Sequence, residues 1–281
     1  PRHRRDHPGL CRRPLTMWRA ALPMYALPEM APANAALWAA VRERLDLAEA
    51  PAALSPTPTA LPAAIVPETL FSQMCGYPLR RLYAGQYRLL GTPLYDLPGC
   101  GWFAPGVPNH RSFIVVARAA RAETVAALRG GRFAMNGFDS NSGMNLPRRL
   151  LAPLAEGRAF FSTVTVSGSH LRSMEMVAAG EADAASIDCV TYGFCALHRP
   201  VLAASLRVVA ETPASPAIPF ITAAATPPET AAALTRILVA EVAAALAGLR
   251  IVAVAPPRAE AYEAVVTYEA EAAALGYPVL T

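Results

Sequence analysis

Lysine is absent from this chain: all 25 basic residues are arginine. Without an ε-amine there is no Schiff base to pyridoxal phosphate or to an aldol substrate, and no lysine-bearing phosphate loop. Cysteine is sparse, at positions 11, 75, 100, 189 and 195, with no C-x-x-C spacing. Zinc and thioredoxin-like chemistry therefore have little support, and no metal or cofactor is expected. Cys75 and Cys100 are a possible bridge in an exported protein; buried free thiols are the simpler reading. Long apolar runs are also missing, since Arg236, Glu241 and Arg250 interrupt the best candidate, so no membrane span is expected.

What is present is a hydrophobic chain of 281 residues, 54% apolar and 16% charged, suited to one large domain or two α/β lobes. The net charge of +4 resides entirely in residues 1–16, where five arginines face Asp6; the other 20 arginines balance 20 acids. A basic stripe for nucleic acid would need clustering inside the fold, and none is seen. Residues 1–16 read as a disordered tail without the apolar core of a secretory leader, with Met17 favoured as the initiator.

Strand and helix signals alternate as in α/β proteins. Strands are predicted at Arg19 to Met24, Glu68 to Gln73, within Arg80 to Leu90, and at Ser112 to Val116. A helix is predicted from Asn34 to Leu47, loops over Ala50 to Pro67 and Gly99 to Asn109, and a short helix over Ala122 to Leu128. Three strand–helix units follow. They are Phe133 to Asn136 with Leu146 to Ala155, Phe161 to Val166 with Leu171 to Ala179, and Ala184 to Ile187 with Cys189 to His198. Such units favour a parallel sheet with ligand at the carboxyl ends of its strands. Strands at Leu206 to Glu211, Phe220 to Ala223 and Ile251 to Val254, a helix from Thr226 to about Leu246 and another from Arg258 to Leu275 complete the chain. The expected partition is one lobe of 17–114 plus 207–281 and a second lobe of 115–206.

All three unit junctions carry polar groups. Ser140-Asn141-Ser142-Gly143 lies at a strand-to-helix turn, where hydroxyls and free backbone N–H groups hold an oxyanion at the positive end of a helix. Ser167-Gly168-Ser169-His170 repeats the pattern, and Asp188 ends the third strand. Pro147 requires the first of these helices either to start late, near Asn145, or to kink; both leave the turn's N–H groups free. Tyr25, Ser72, Gln73 and Tyr95 stand at strand or loop ends of the other lobe, and His110 and Arg111 at the crossing. Cys189 beside Asp188 reads as structural burial rather than a nucleophile.

The chain resembles the phosphate/phosphonate-type substrate-binding proteins of ABC transporters, within the type II periplasmic-binding-protein fold. The likeness rests on Leu22-Pro23-Met24-Tyr25, Ser72 to Pro78, Gly91 to Tyr95, Ser140 to Gly143, Ser167 to His170, Val177 to Asp183 and Ile187-Asp188-Cys189. It implies a two-lobed α/β clamp closing on a small anion. The Ser-x-Ser-Gly turn, here Ser140 to Gly143, would take the oxygens, His170 would add a donor, and Asp188 would meet an amino group on the ligand. His110 stands where the family places an aromatic.

The leading expectation is a non-enzymatic binding protein for phosphate, phosphite, phosphonate or a phosphorylated or sulfonated organic molecule, acting as a monomer with a transporter permease as partner. One rival is a cytoplasmic enzyme on the same fold with His170 as base and Asp188 as its orienter, which requires the two to be within hydrogen-bond reach. A ligand sensor acting on a regulator is the other. Location stays open, periplasmic by resemblance and cytoplasmic by the missing leader.

Overall fold

A computed structural model describes residues 17–56 and 66–281. The expected tail and the centre of the Pro/Ala-rich loop lie outside the described residues. Two five-stranded sheets and a small three-stranded sheet organise the rest.

The first sheet holds β1 (Arg19–Ala20), β2 (Thr69–Gln73), β3 (Tyr87–Tyr95), β12 (Phe220–Ala223) and β13 (Ile251–Ala255), in the order β1-β2-β12-β3-β13. β2 is buried along its whole length, as a central strand covered on both faces must be. Phe71 stacks between Trp38 of helix α1 (Ala31–Arg44) and Phe220 of β12, with centroids 5.5 and 5.4 Å apart. Helix α2 (Gly76–Arg81) follows β2.

The expected irregular loop at 99–109 is instead a β-ribbon. β4 (Gly101–Ala104) pairs with β5 (Val107–His110), and β5 pairs with β11 (Ser215–Pro216). Gly106, at φ +73°, makes the tight turn between β4 and β5 that a side chain would strain. Gly99, Gly101 and Gly106 around β4 and the prolines of β5 and β11 hide the strand signal.

The second sheet runs β10-β6-β9-β7-β8, built from β6 (Ser112–Ala117), β7 (Arg132–Met135), β8 (Thr163–Val166), β9 (Ala184–Asp188) and β10 (Leu206–Glu211). β7 is parallel to both β8 and β9, so the three strand–helix units deliver their carboxyl ends to one edge. Their helices are α3 (Leu146–Ala155), α4 (His170–Ala178) and α5 (Cys189–His198), close to the predicted spans. The region expected to be helical at 122–128 is only a single 3-10 turn, Ala126–Leu128.

β6 and β10 are neighbours in the second sheet, so sheet membership changes near residues 111 and 212. Drawn by sheets, we propose lobes of 17–111 plus 212–262 and of 112–211. α6 (Pro200–Ala204) packs beside α5, while α7 (Pro228–Ala240) and α8 (Ala243–Ala247) cover the first sheet. The last helix, α9 (Glu263–Ala274), spans the division. Ala272, Tyr277 and Leu280 join the apolar cluster around Phe133 and Leu151 of the second lobe. Towards the first lobe, Glu269 accepts from Tyr77 Oη at 2.6 Å and pairs with Arg81 at 2.9 Å. No described helix is long and apolar enough to cross a membrane.

Candidate ligand-binding site

The turn after β7 gets its shape from one serine and one proline. Ser140 is extended, and its Oγ accepts the Gly143 N–H at 2.9 Å, capping the helix end. Residues Asn141–Asn145 then form a wide π-type turn, in which the Asn145 N–H reaches the Ser140 carbonyl at 3.1 Å. Continued in that register, the Ser142 carbonyl would need an N–H from residue 147, and Pro147 has none. The hydroxyls of Ser112 and Ser186 donate to that carbonyl instead, at 2.8 and 2.7 Å. Pro147 thus sits in the first turn of α3, the late start allowed by sequence.

The turn's amides are not all free, contrary to expectation. Gly143 N–H is capped, and Asn141 N–H donates to Cys75 Sγ of the first lobe at 3.3 Å. The Ser142 N–H makes no hydrogen bond among the described residues. Asn141 itself is fully buried and structural, its Nδ2 donating to Ser215 Oγ at 2.9 Å. Gly143 is required by packing: a Cβ there would stand 1.7 Å from Asn136 Oδ1.

The second turn supplies the facing donor. Ser169 caps α4 by accepting the Arg172 N–H at 3.1 Å, and Gly168 at φ +88° lets the chain reverse. His170, first residue of α4, lies with its Nε2 2.8 Å from Ser142 Oγ. Its enclosed Nδ1 has no partner among the described residues. Burial holds the imidazole below its ordinary value, against the pull of Asp188, so it is neutral at pH 7.

Asp188 is fully occupied. Oδ1 caps α5 through the amides of Val190 at 2.8 Å and Thr191 at 3.3 Å. Oδ2 meets His110 Nδ1 at 2.7 Å and accepts from Tyr25 Oη at 3.4 Å. Burial alone would raise this carboxyl; His110, His170 and the amides outweigh it and hold it below the usual range. His170 and Asp188 share no hydrogen bond, so the base-and-orienter arrangement is not formed.

These groups meet at a cavity of about 270 Å³ between the two sheets. Of the eleven residues singled out by sequence, Ser140, Ser142, His170, Asp188 and Tyr25 line it. Asn141, Gly143, His110, Ser72, Gln73 and Tyr95 stand behind its walls. His110 buttresses Asp188, and Gln73 Nε2 donates to Tyr95 Oη at 3.4 Å. Tyr95 packs edge-on against Tyr25, with centroids 5.5 Å apart, and Ser72 is buried inside β2. Arg111 pairs with Glu211 at 2.6 Å across the crossing strands and takes no part.

Sequence reasoning missed the lobe 1 wall of Met74, Cys75 and Leu27, and also Asn136. Asn136, at the end of β7, was legible from its place; the apolar wall was not, because core and cleft side chains look alike in sequence. Cys75 is a buried thiol raised by burial to about 11, so it faces the Ser140–Gly143 turn uncharged. Among the described residues, no arginine lines the cavity.

Two mixed sheets joined by paired crossing strands, with helix starts facing an interlobe cavity, define the two-lobed solute-binding proteins. The chain belongs to the family of periplasmic phosphonate substrate-binding proteins of ABC transporters, which residues 91–276 match. Among solved structures it is similar to PhnD1 of Prochlorococcus marinus in complex with methylphosphonate (TM-score 0.69, 12% identity, covering 91% of this chain and 98% of that one). It is also similar to the binding-protein component of an ABC phosphonate transporter from Pseudomonas aeruginosa (TM-score 0.68, 14% identity, 92% and 97% covered). A Xanthomonas citri protein bound to ATP has the same fold (TM-score 0.59, 14% identity, 92% and 98% covered). No curated protein matches the chain at a significant level.

Proposed function

We propose that this protein is the solute-binding component of a transporter and clamps a small tetrahedral oxyanion, a phosphonate or a phosphate monoester, at the Ser140–Ser142–His170 corner. The observation that carries this reading is the convergence of two helix starts. Ser142, with its free N–H and its hydroxyl, and His170, held against that hydroxyl through Nε2, line one cavity. Dipoles and hydroxyls hold the anion there without a cationic side chain, as helix starts do elsewhere.

At about 270 Å³ the cavity is larger than a single tetrahedral anion requires. That leaves room beyond the anion for a short substituent against Met74 and Leu27. Asp188 acts as a brace for His110 and Tyr25 rather than as a partner for a ligand amine. A permease is the partner that family membership supports.

Calorimetry on ligand-stripped protein tests this with methylphosphonate, ethylphosphonate, methyl phosphate, inorganic phosphate, phosphite and methanesulfonate. Saturable heat with at least one phosphorus oxyanion is expected. Silence across the panel, with no thermal shift, refutes it.

A further inference from the structure

Cys100 and Cys189 are the described cysteines whose sulfurs approach one another, Sγ to Sγ at 3.6 Å. The sequence left a Cys75–Cys100 bridge open, with free thiols the simpler reading; Cys75 instead faces Asn141 on the cleft wall. We propose that Cys100 and Cys189 are a disulfide-forming pair that locks the β3–β4 connection to the start of α5.

Three features of the backbone support this. Cys100 closes a turn whose N–H reaches Leu97 O at 3.1 Å, and Cys189 N–H is held by Arg111 O at 3.0 Å, so both ends are tethered. Gly99, at φ +84°, brings the β3–β4 connection so close that a Cβ there would lie 2.9 Å from Cys189 Cβ. Covalent sulfurs stand about 2.05 Å apart, so side-chain rotation has only about 1.5 Å to close.

The reaction needs an oxidant, and a disulfide compound or a dithiol oxidase of the same chemistry suffices. Cys100 is half-buried and Cys189 is buried, so attack on the oxidant starts at Cys100. A mixed disulfide forms at Cys100 and releases one thiol of the oxidant. Cys189 Sγ then displaces the second, giving the Cys100–Cys189 bond. Two protons and two electrons leave the protein, and the oxidant's S–S bond becomes two S–H groups. The hydrogen bond to Cys100, burial and the Asp188 carboxylate all keep Cys189 protonated until then.

The bond would close a loop of about 90 residues and fix the residue next to Asp188, at the base of the cleft. Lobe 1 would be stapled to lobe 2 beside the crossing strands, limiting separation at that edge.

The test is peptide mapping of the full chain after equilibration with oxidised glutathione, alkylation and non-reducing digestion after arginine. Peptide 89–111 carries only Cys100; the peptide that carries Cys189, 173–207, also carries Cys195, so fragmentation assigns the linked sulfur. The expected result is 89–111 joined to 173–207 through Cys189, with a thermal midpoint raised by on the order of 10 °C. The exposed-side variant Cys100→Ser should lose both the link and the shift while keeping the midpoint of the reduced protein. A link from Cys100 to Cys75 or Cys195, a link formed only in denaturant, or full alkylation of every thiol overturns the proposal.

Discussion

Replacing Ser142 with alanine separates the anion site from the scaffold around it. The side chain makes one good hydrogen bond, to His170 Nε2 at 2.8 Å, and a marginal 3.5 Å contact with Ser140 Oγ. The bonds that position the turn run to the Ser142 carbonyl from Ser112 and Ser186, and they survive the change. Loss of one neutral hydrogen bond at a half-buried partner should therefore lower stability by only about 1 kcal/mol. A hydroxyl donating to an ionised oxygen contributes about 1.5–3 kcal/mol, so affinity should fall by roughly 10- to 150-fold. Titration calorimetry with the best ligand of the panel, beside a thermal melt of the free protein, reads both quantities. Affinity kept within threefold would refute the assignment of the Ser142 hydroxyl to the anion, and a large melt shift would show that the side chain supports the fold.

Asp188→Asn keeps the shape but removes the charge facing His110 and Tyr25. Weakening hydrogen bonds made to a buried carboxylate should lower stability by about 1.5–3 kcal/mol, read by urea unfolding. Arg148→Met tests the anchoring of the last helix: it strips donors from Asn145 Oδ1 and Pro278 O, both at 2.7 Å, while Glu269 keeps Tyr77 and Arg81. Two stranded acceptors at about 1–3 kcal/mol each put the loss near 3 kcal/mol in the same assay. His170 sets a pH dependence whose sign follows from its depressed value. Between that value and about 6.5 the unfolded chain binds a proton that the folded one refuses, so stability should rise with pH through this window. Unfolding free energies at pH 5 and 7.5 check this, and the contribution should vanish in His170→Gln.

Local signals made much of the fold legible. The helices at 146–155 and 189–198 follow a 3.6-residue apolar period, and the strands at 112–116, 206–211 and 220–223 are short β-branched or apolar runs bounded by turn residues. The ribbon of β4 and β5 was not legible, because glycine and proline mark a loop unless a partner strand completes the pairing. β1 was overextended because only Arg19 and Ala20 find a neighbour on β2.

The chemistry of the site divides in the same way. Sequence by itself marked the two serine- and glycine-rich turns, since such residues at a strand-to-helix junction cap the helix that follows. It also determined that no lysine takes part. Only the tertiary structure decided that Asp188 belongs to His110 rather than His170, that Asn141 and Gly143 serve packing, and that Cys100 faces Cys189. Those pairings join residues about 30 to 90 positions apart, and their distances depend on how two sheets meet at a crossing. Residue type and local spacing carry no information about that meeting.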